Sequence, residues 1–170
     1  MARLVLSDTG PLIGLARVEG LIWLRELFGI VAVTSEVVRE VFASKGGDDE
    51  VLIRKAIDEG WLQRLGTSLT EPHYPHLGAG EASCIRMAVS RSEPTLLLLD
   101  DRLARREAKR AGLQVVGVAA IVGMAELRGL TPSARAVFDL LLQSDYRIGE
   151  SVIEEVLRSV ATAKVRDGRR

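Results

Sequence analysis

At 170 residues, 47% hydrophobic and 27% charged, the chain has the make-up of one globular domain able to bury a core without staples. Its 23 basic side chains balance 23 acidic ones, so no overall positive field draws nucleic acid, and any such binding must come from a local patch. Cys84 is the only cysteine, which excludes an internal disulfide framework and points to a reducing, cytoplasmic setting. No apolar run reaches the length of a membrane span, and the short N-terminal one, interrupted by Asp8, does not read as a signal peptide.

Leu4-Val5-Leu6 is an apolar run of strand length that leads into Asp8 and then Gly10-Pro11, where a helix opens with Thr9 or Asp8 near its cap. That helix carries Leu12, Ile13, Leu15, Ala16 and Val18 and is broken at Gly20. Leu21, Ile22, Leu24, Leu27 and Phe28 mark a second helix, ended by Gly29. Ile30 to Val33 reads as the second strand. Thr34 and Ser35 then cap a third helix whose apolar face is Val37, Val38 and Val41. Glu40 lies on it beside those valines, whereas Glu36 is placed to complement the helix dipole. A helix from Glu50, Gly60 and a short edge strand at Trp61 to Leu65 follow.

Two stretches read as loops, Ser44 to Asp49 and Gly66 to Gly80. The second contains His73 and His76, which lack zinc-ligand spacing. Gly78-Ala79-Gly80-Glu81 opens the next helix. Its glycines read as a tight turn rather than a dinucleotide loop, because the third glycine and the preceding strand are missing. Thr95 to Leu99 is apolar almost throughout, the pattern of a strand buried on both faces, and it ends in Asp100-Asp101. The helix after it carries Arg102, Arg105, Arg106, Lys109 and Arg110 mostly on one face, with Leu103, Ala108 and Ala111 toward the sheet. Gly112 and a last strand, Leu113 to Val116, lead to helices over Ala119 to Leu127, Ser133 to Leu142 and Ser151 to Val160, the last with Val152, Ile153, Val156, Leu157 and Val160 as its apolar face. The basic end, Lys164 to Arg170, reads as frayed.

Strand–helix order of this kind predicts a single α/β domain over residues 1–170, with a mostly parallel central sheet flanked by helices. The C-terminal helices, 133–163, pack on that domain or on a dimer partner. In a parallel sheet all strand carboxyl ends share one rim, so Asp8 and Asp100 or Asp101 meet there, and Glu40 and Glu81 can reach them from flanking helices. Carboxylates packed together raise one another's pKa unless a cation neutralises them. Mg²⁺ or Mn²⁺ takes oxygen ligands and keeps waters, and such a site activates water for in-line attack on a phosphodiester.

The stretches Val5 to Ile13, Val37-Val38-Arg39-Glu40-Val41, Leu77 to Ala82 and Leu98 to Arg105 resemble the successive motifs of PIN-domain proteins. More narrowly they resemble the VapC-like DUF3368 subgroup, as does Tyr146-Arg147-Ile148-Gly149. The resemblance implies a metal-dependent ribonuclease of α/β/α fold, the toxin of a toxin–antitoxin pair, with an RNA substrate, an antitoxin protein and a second copy of itself as partners. It assigns Asp8, Glu40, Glu81 and Asp101 as catalytic acids and the same four with Asp100 as metal ligands. Thr9 is implied as a supporting hydroxyl on metal water or phosphate. Residues Arg102, Arg105, Arg106 and Lys109 supply the nucleic-acid face.

Two rival classes compete with the nuclease. A non-catalytic PIN-like module would bind RNA or a protein through the same basic helix. A phosphoacceptor domain also places acids at strand ends, but needs an Asp-x-Asp pair or a lysine after a later strand; Asp8-Thr9-Gly10 and Gly117-Val118 supply neither.

Overall fold

A computed structural model describes residues 4–43, 46–66 and 69–167. Ser44 and Lys45 of the first expected loop, positions 67 and 68 of the second and the last three residues of the basic end lie outside the described residues. Five short strands, β1 (Leu4–Ser7), β2 (Val31–Thr34), β3 (Leu62–Leu65), β4 (Thr95–Leu98) and β5 (Gln114–Val116), form one sheet in the order β3-β2-β1-β4-β5. All four pairings are parallel. Helical crossovers make this possible, since parallel neighbours cannot be joined by tight turns. The order reverses between β1 and β4, and the crevice outside the carboxyl ends at such a reversal is where open α/β sheets take ligands.

The central strands owe their place to composition. Leu6, Leu97 and Leu98 are wholly buried, as expected of strands covered on both faces. The edge strand β3 is covered less, with Leu62 buried and Gln63 and Arg64 exposed. Ile30, expected in the second strand, lies outside it and is exposed.

Helices α1 (Thr9–Arg17), α2 (Ile22–Phe28), α3 (Ser35–Val41), α4 (Asp48–Asp58) and α5 (Ala79–Val89) alternate with the first strands, giving an α/β/α arrangement. Later come α6 (Arg102–Arg110), α7 (Val118–Leu127), α8 (Ala134–Gln143) and α9 (Glu150–Asp167). Thr34 caps α3 through Val37 N–H, as its position suggested. Helix α5 lies across β1, β2 and β4, so its first turn faces the carboxyl rim.

Helices α8 and α9 pack on α7. In α9, Ile153 and Val160 are buried whereas Val152, expected on the same face, is half exposed. This helix runs seven residues past its expected end, to Asp167, so Lys164 to Asp167 is helical rather than frayed. A similar shift occurs in α6: Ala104 and Ala108 face the core, while Ala111 is exposed and already serves as the C-cap. Among the described residues no helix is long and apolar enough to cross a membrane.

Candidate metal and nucleic-acid site

Asp8 is delivered to the rim by the sheet itself. Its N–H continues the β1–β4 ladder to the Leu98 carbonyl at 3.0 Å, so the residue is fixed before its side chain does anything. It occupies the N-cap position of α1 yet makes no side-chain capping bond. The residue is 7% exposed, and Oδ1 has no hydrogen-bond partner. Buried carboxylate oxygens are seldom left so, because the charge loses its hydration with no compensation. Burial, opposed by the Thr9 N–H and reinforced by Glu81 and Glu40, pushes the Asp8 carboxyl up to about 7.

Glu40 comes in from the end of α3. Its carboxylate accepts from Thr9 Oγ1 at 2.7 Å and from Gly80 N–H at 2.7 Å, one donor to each oxygen. Thr9 therefore supports the site through a protein carboxylate. Behind this pair runs a chain of small polar groups. Ser83 gives its single hydroxyl proton to the Gly80 carbonyl at 2.7 Å, so across the 2.6 Å contact Thr34 must donate to Ser83. The first turn of α5 is thus tied to the end of β2, and that turn in turn holds Glu40.

Gly80 has a second role that the sequence pattern disguised. Neither Gly78 nor Gly80 has a positive φ, so the expected tight glycine turn is not what requires them. A Cβ on Gly80 would lie 2.8 Å from Asp8 Oδ1 and closer still to Glu40 Oε2. The missing side chain is the space into which two carboxylates point.

Glu81 folds back on its own helix start, accepting from Gly78 N–H at 2.9 Å. Burial raises its carboxyl pKa, opposed by that N–H and reinforced by Asp101 and Glu40. Asp101 is the N-cap of α6, accepting from Ala104 N–H at 2.9 Å. The fields of these acids thus link Asp8, Glu40, Glu81 and Asp101. As their side chains stand, however, no three His, Cys, Asp or Glu among the described residues close on a common point.

Asp100, adjacent in sequence, is elsewhere. Its Oδ1 accepts from Val118 N–H at 2.9 Å and its Oδ2 from the Tyr146 hydroxyl. Burial raises its carboxyl pKa against the pull of that phenol. Tyr146 was part of a sequence motif but not of any expected site; nothing in its local pattern shows that it reaches back 46 residues to Asp100.

The basic helix divides in the same way. Arg105 turns inward, its guanidinium donating to the Leu99 carbonyl at 2.9 Å, and Arg106 lies 3.7 Å from Glu107. Arg102 and Lys109 are exposed, with no carboxylate partner among the described residues. The histidines of the second loop are also exposed.

An all-oxygen donor set with one buried, uncompensated carboxylate oxygen fits a hard divalent cation, which needs such ligands and tolerates retained waters. No curated protein matches the chain significantly. Residues 4–162 match the family described as DUF3368, PIN domain. That match spans all five strands and every acid described above, and so the chain belongs to the PIN-domain family, a nuclease-type fold.

Proposed function

We propose that this protein is a Mg²⁺- or Mn²⁺-dependent endoribonuclease acting in the cytoplasm as the toxin of a toxin–antitoxin pair. The observation that carries the reading is Asp8 Oδ1: buried, without a hydrogen bond, and facing Glu40 across a residue that lacks a side chain. Asp8, Glu40, Glu81 and Asp101 would hold the ion. When bound, it supplies charge neutralisation and an activated water for attack on a phosphodiester. Thr9 and Gly80 keep the Glu40 carboxylate oriented, so it loses little freedom on meeting a cation. Glu81 and Asp101 each have one oxygen on a backbone N–H, and the other oxygen would be the one to meet the metal.

Arg102 is an exposed cation at the start of α6, where the helix leaves the rim, with Arg106 and Lys109 exposed farther along it, and Arg105 donates to the Leu99 carbonyl at the β4–α6 corner. RNA is the substrate that suits them, its phosphates being read by charge. An antitoxin and a second copy of the chain are the protein partners of this reading, and Leu140, Leu142 and Val152 on the C-terminal helices are half-exposed apolar side chains open to either.

The test pairs metal binding with cleavage. Mn²⁺ should raise the melting temperature of the wild-type protein by mass action and leave Asp8→Asn unmoved, and labelled RNA should be cut only by the wild type with metal present. An Asp8→Asn protein that still cuts would sink the reading. A second reading is favoured by the backbone partners of Glu81 and Asp101: a PIN-fold module that binds RNA without cutting it. It expects metal-independent binding whose salt slope falls by about one for each of Arg102 and Lys109 removed, with no product formed.

A further inference from the structure

Tyr146 sits in the connection between α8 and α9, far in sequence from every acid, yet it is the most deliberately seated side chain at the rim. Asp145 before it takes a left-handed conformation, φ 59°, which turns the chain back after α8. The N–H of Tyr146 then donates to the Leu141 carbonyl at 3.0 Å, and Arg17 of α1 donates to the Ser144 carbonyl at 2.9 Å. The ring lies on Gly14: a Cβ there would sit 2.7 Å from Tyr146 Cζ, so the aromatic seat exists only because α1 carries no side chain at that point. The hydroxyl reaches Asp100, and a Cβ on Gly10 would lie 3.8 Å from that hydroxyl and 3.9 Å from Asp8 Oδ2. The phenol therefore stands between the Asp8 flank and Asp100.

Consecutive side chains leaving an extended strand point to opposite sides. With Asp100 bound by the phenol and by Val118 N–H, Asp101 is directed the other way, into the field of Glu81. We propose that Tyr146 is a positioning residue for the acid centre. Its hydroxyl commits Asp100 to the scaffold and so selects Asp101 as the β4 acid presented to the cation. This rests on the metal-centre reading above. A phenol has one proton, and here it is spent on Asp100, while Asp8 Oδ1 faces Glu40 on the other side.

The experiment measures Mn²⁺ affinity by electron paramagnetic resonance and single-turnover RNA cleavage in wild type, Tyr146→Phe, Asp100→Asn, their double variant, Asp101→Asn and Arg17→Ala. Supporting groups behind metal ligands typically contribute 10- to 100-fold in affinity, so Tyr146→Phe and Asp100→Asn should each weaken Mn²⁺ about tenfold. The double variant should lose less than the sum of the two single losses, because both substitutions act on the Tyr146–Asp100 bond. The cleavage rate should fall with the KM for RNA unchanged. Asp101→Asn should lose more Mn²⁺ affinity than Asp100→Asn. Arg17→Ala removes the tether to Ser144 but keeps the phenol–Asp100 bond, and its loss of Mn²⁺ affinity should be smaller than that of Tyr146→Phe. If Tyr146→Phe does not fold, Asp100→Asn alone reports the same bond. Wild-type Mn²⁺ binding with variants that match it overturns the role of Tyr146 and spares the site, as does a greater loss for Asp100→Asn than for Asp101→Asn. A wild type that binds no Mn²⁺ overturns the site and this role with it.

Discussion

Asp8 and Asp100 close neighbouring parallel strands, and burial raises the carboxyl pKa of both, but they are finished in opposite ways. Asp100 has a donor on each oxygen, one from the start of α7 and one from Tyr146. Asp8 keeps an oxygen bare while sitting deeper. Two acids placed alike by the sheet thus separate into scaffold and site, and hydrogen-bond satisfaction, more than location, distinguishes them. Hydrogen bonds on both oxygens offset part of the burial cost of Asp100, whereas Asp8 Oδ1 has no such offset.

The strongest way to break this contrast is to titrate it. The Asp8 carboxyl titrates near 7 in the folded protein against 3.8 in an unfolded chain, so between those values the folded state holds more protons. The stability that protonated Asp8 contributes is therefore complete below about pH 4, falls as pH rises toward 7, and is gone above that. A shift of that size corresponds to on the order of 4 kcal/mol at most. Metal-free Asp8→Asn should accordingly melt higher than wild type at pH 8, by an increment that fades toward pH 4. Equal melting at pH 8 would show that Asp8 is compensated after all.

Substitution at Asp100 should have the opposite effect on stability to substitution at Asp8. Asp100→Ala orphans the Val118 N–H and the Tyr146 hydroxyl, and each unsatisfied buried donor costs about 1–3 kcal/mol. Chemical denaturation at neutral pH should show that loss, and an Asp100→Ala protein as stable as wild type would remove the distinction between the two acids. The smallest effect tests the space between acids. Alanine is a better helix former than glycine by about 1 kcal/mol, but at Gly80 its Cβ meets Asp8 Oδ1, and overpacking costs about 1–3 kcal/mol. Gly80→Ala should change stability by little, with the two terms nearly cancelling, and should still lose Mn²⁺ binding. Retained binding would show that Asp8 and Glu40 do not need that opening.

Much of this was legible in the residues alone. Thr95 to Leu99 read as a covered strand and forms one as far as Leu98, the parallel order followed from the alternation of strands and helices, and Thr34 read as a cap because its hydroxyl suits one. The acids could be placed on one rim because parallel strands all end there. What the sequence withheld were properties of approach. An absent Cβ at Gly80 looks the same in a turn and in a crowded cluster. Asp100 and Asp101 differ by one position, and which of them turns inward depends on Tyr146, whose partner is set by tertiary packing. Arg105 and Val152 erred for the same reason, since helical spacing names a face but not what the neighbouring element leaves open on it.

The bond from Tyr146 to Asp100 also has a meaning in time. A chain is made from its N-terminus at roughly 5–20 residues per second, so Asp8, Glu40, Glu81 and Asp101 all exist some seconds before the phenol that steadies their corner. The nascent protein carries its acids without their clasp. If those acids are a toxin's, the hazard is completed only when the last helices are made, after the interval in which a waiting partner could already have engaged the growing chain.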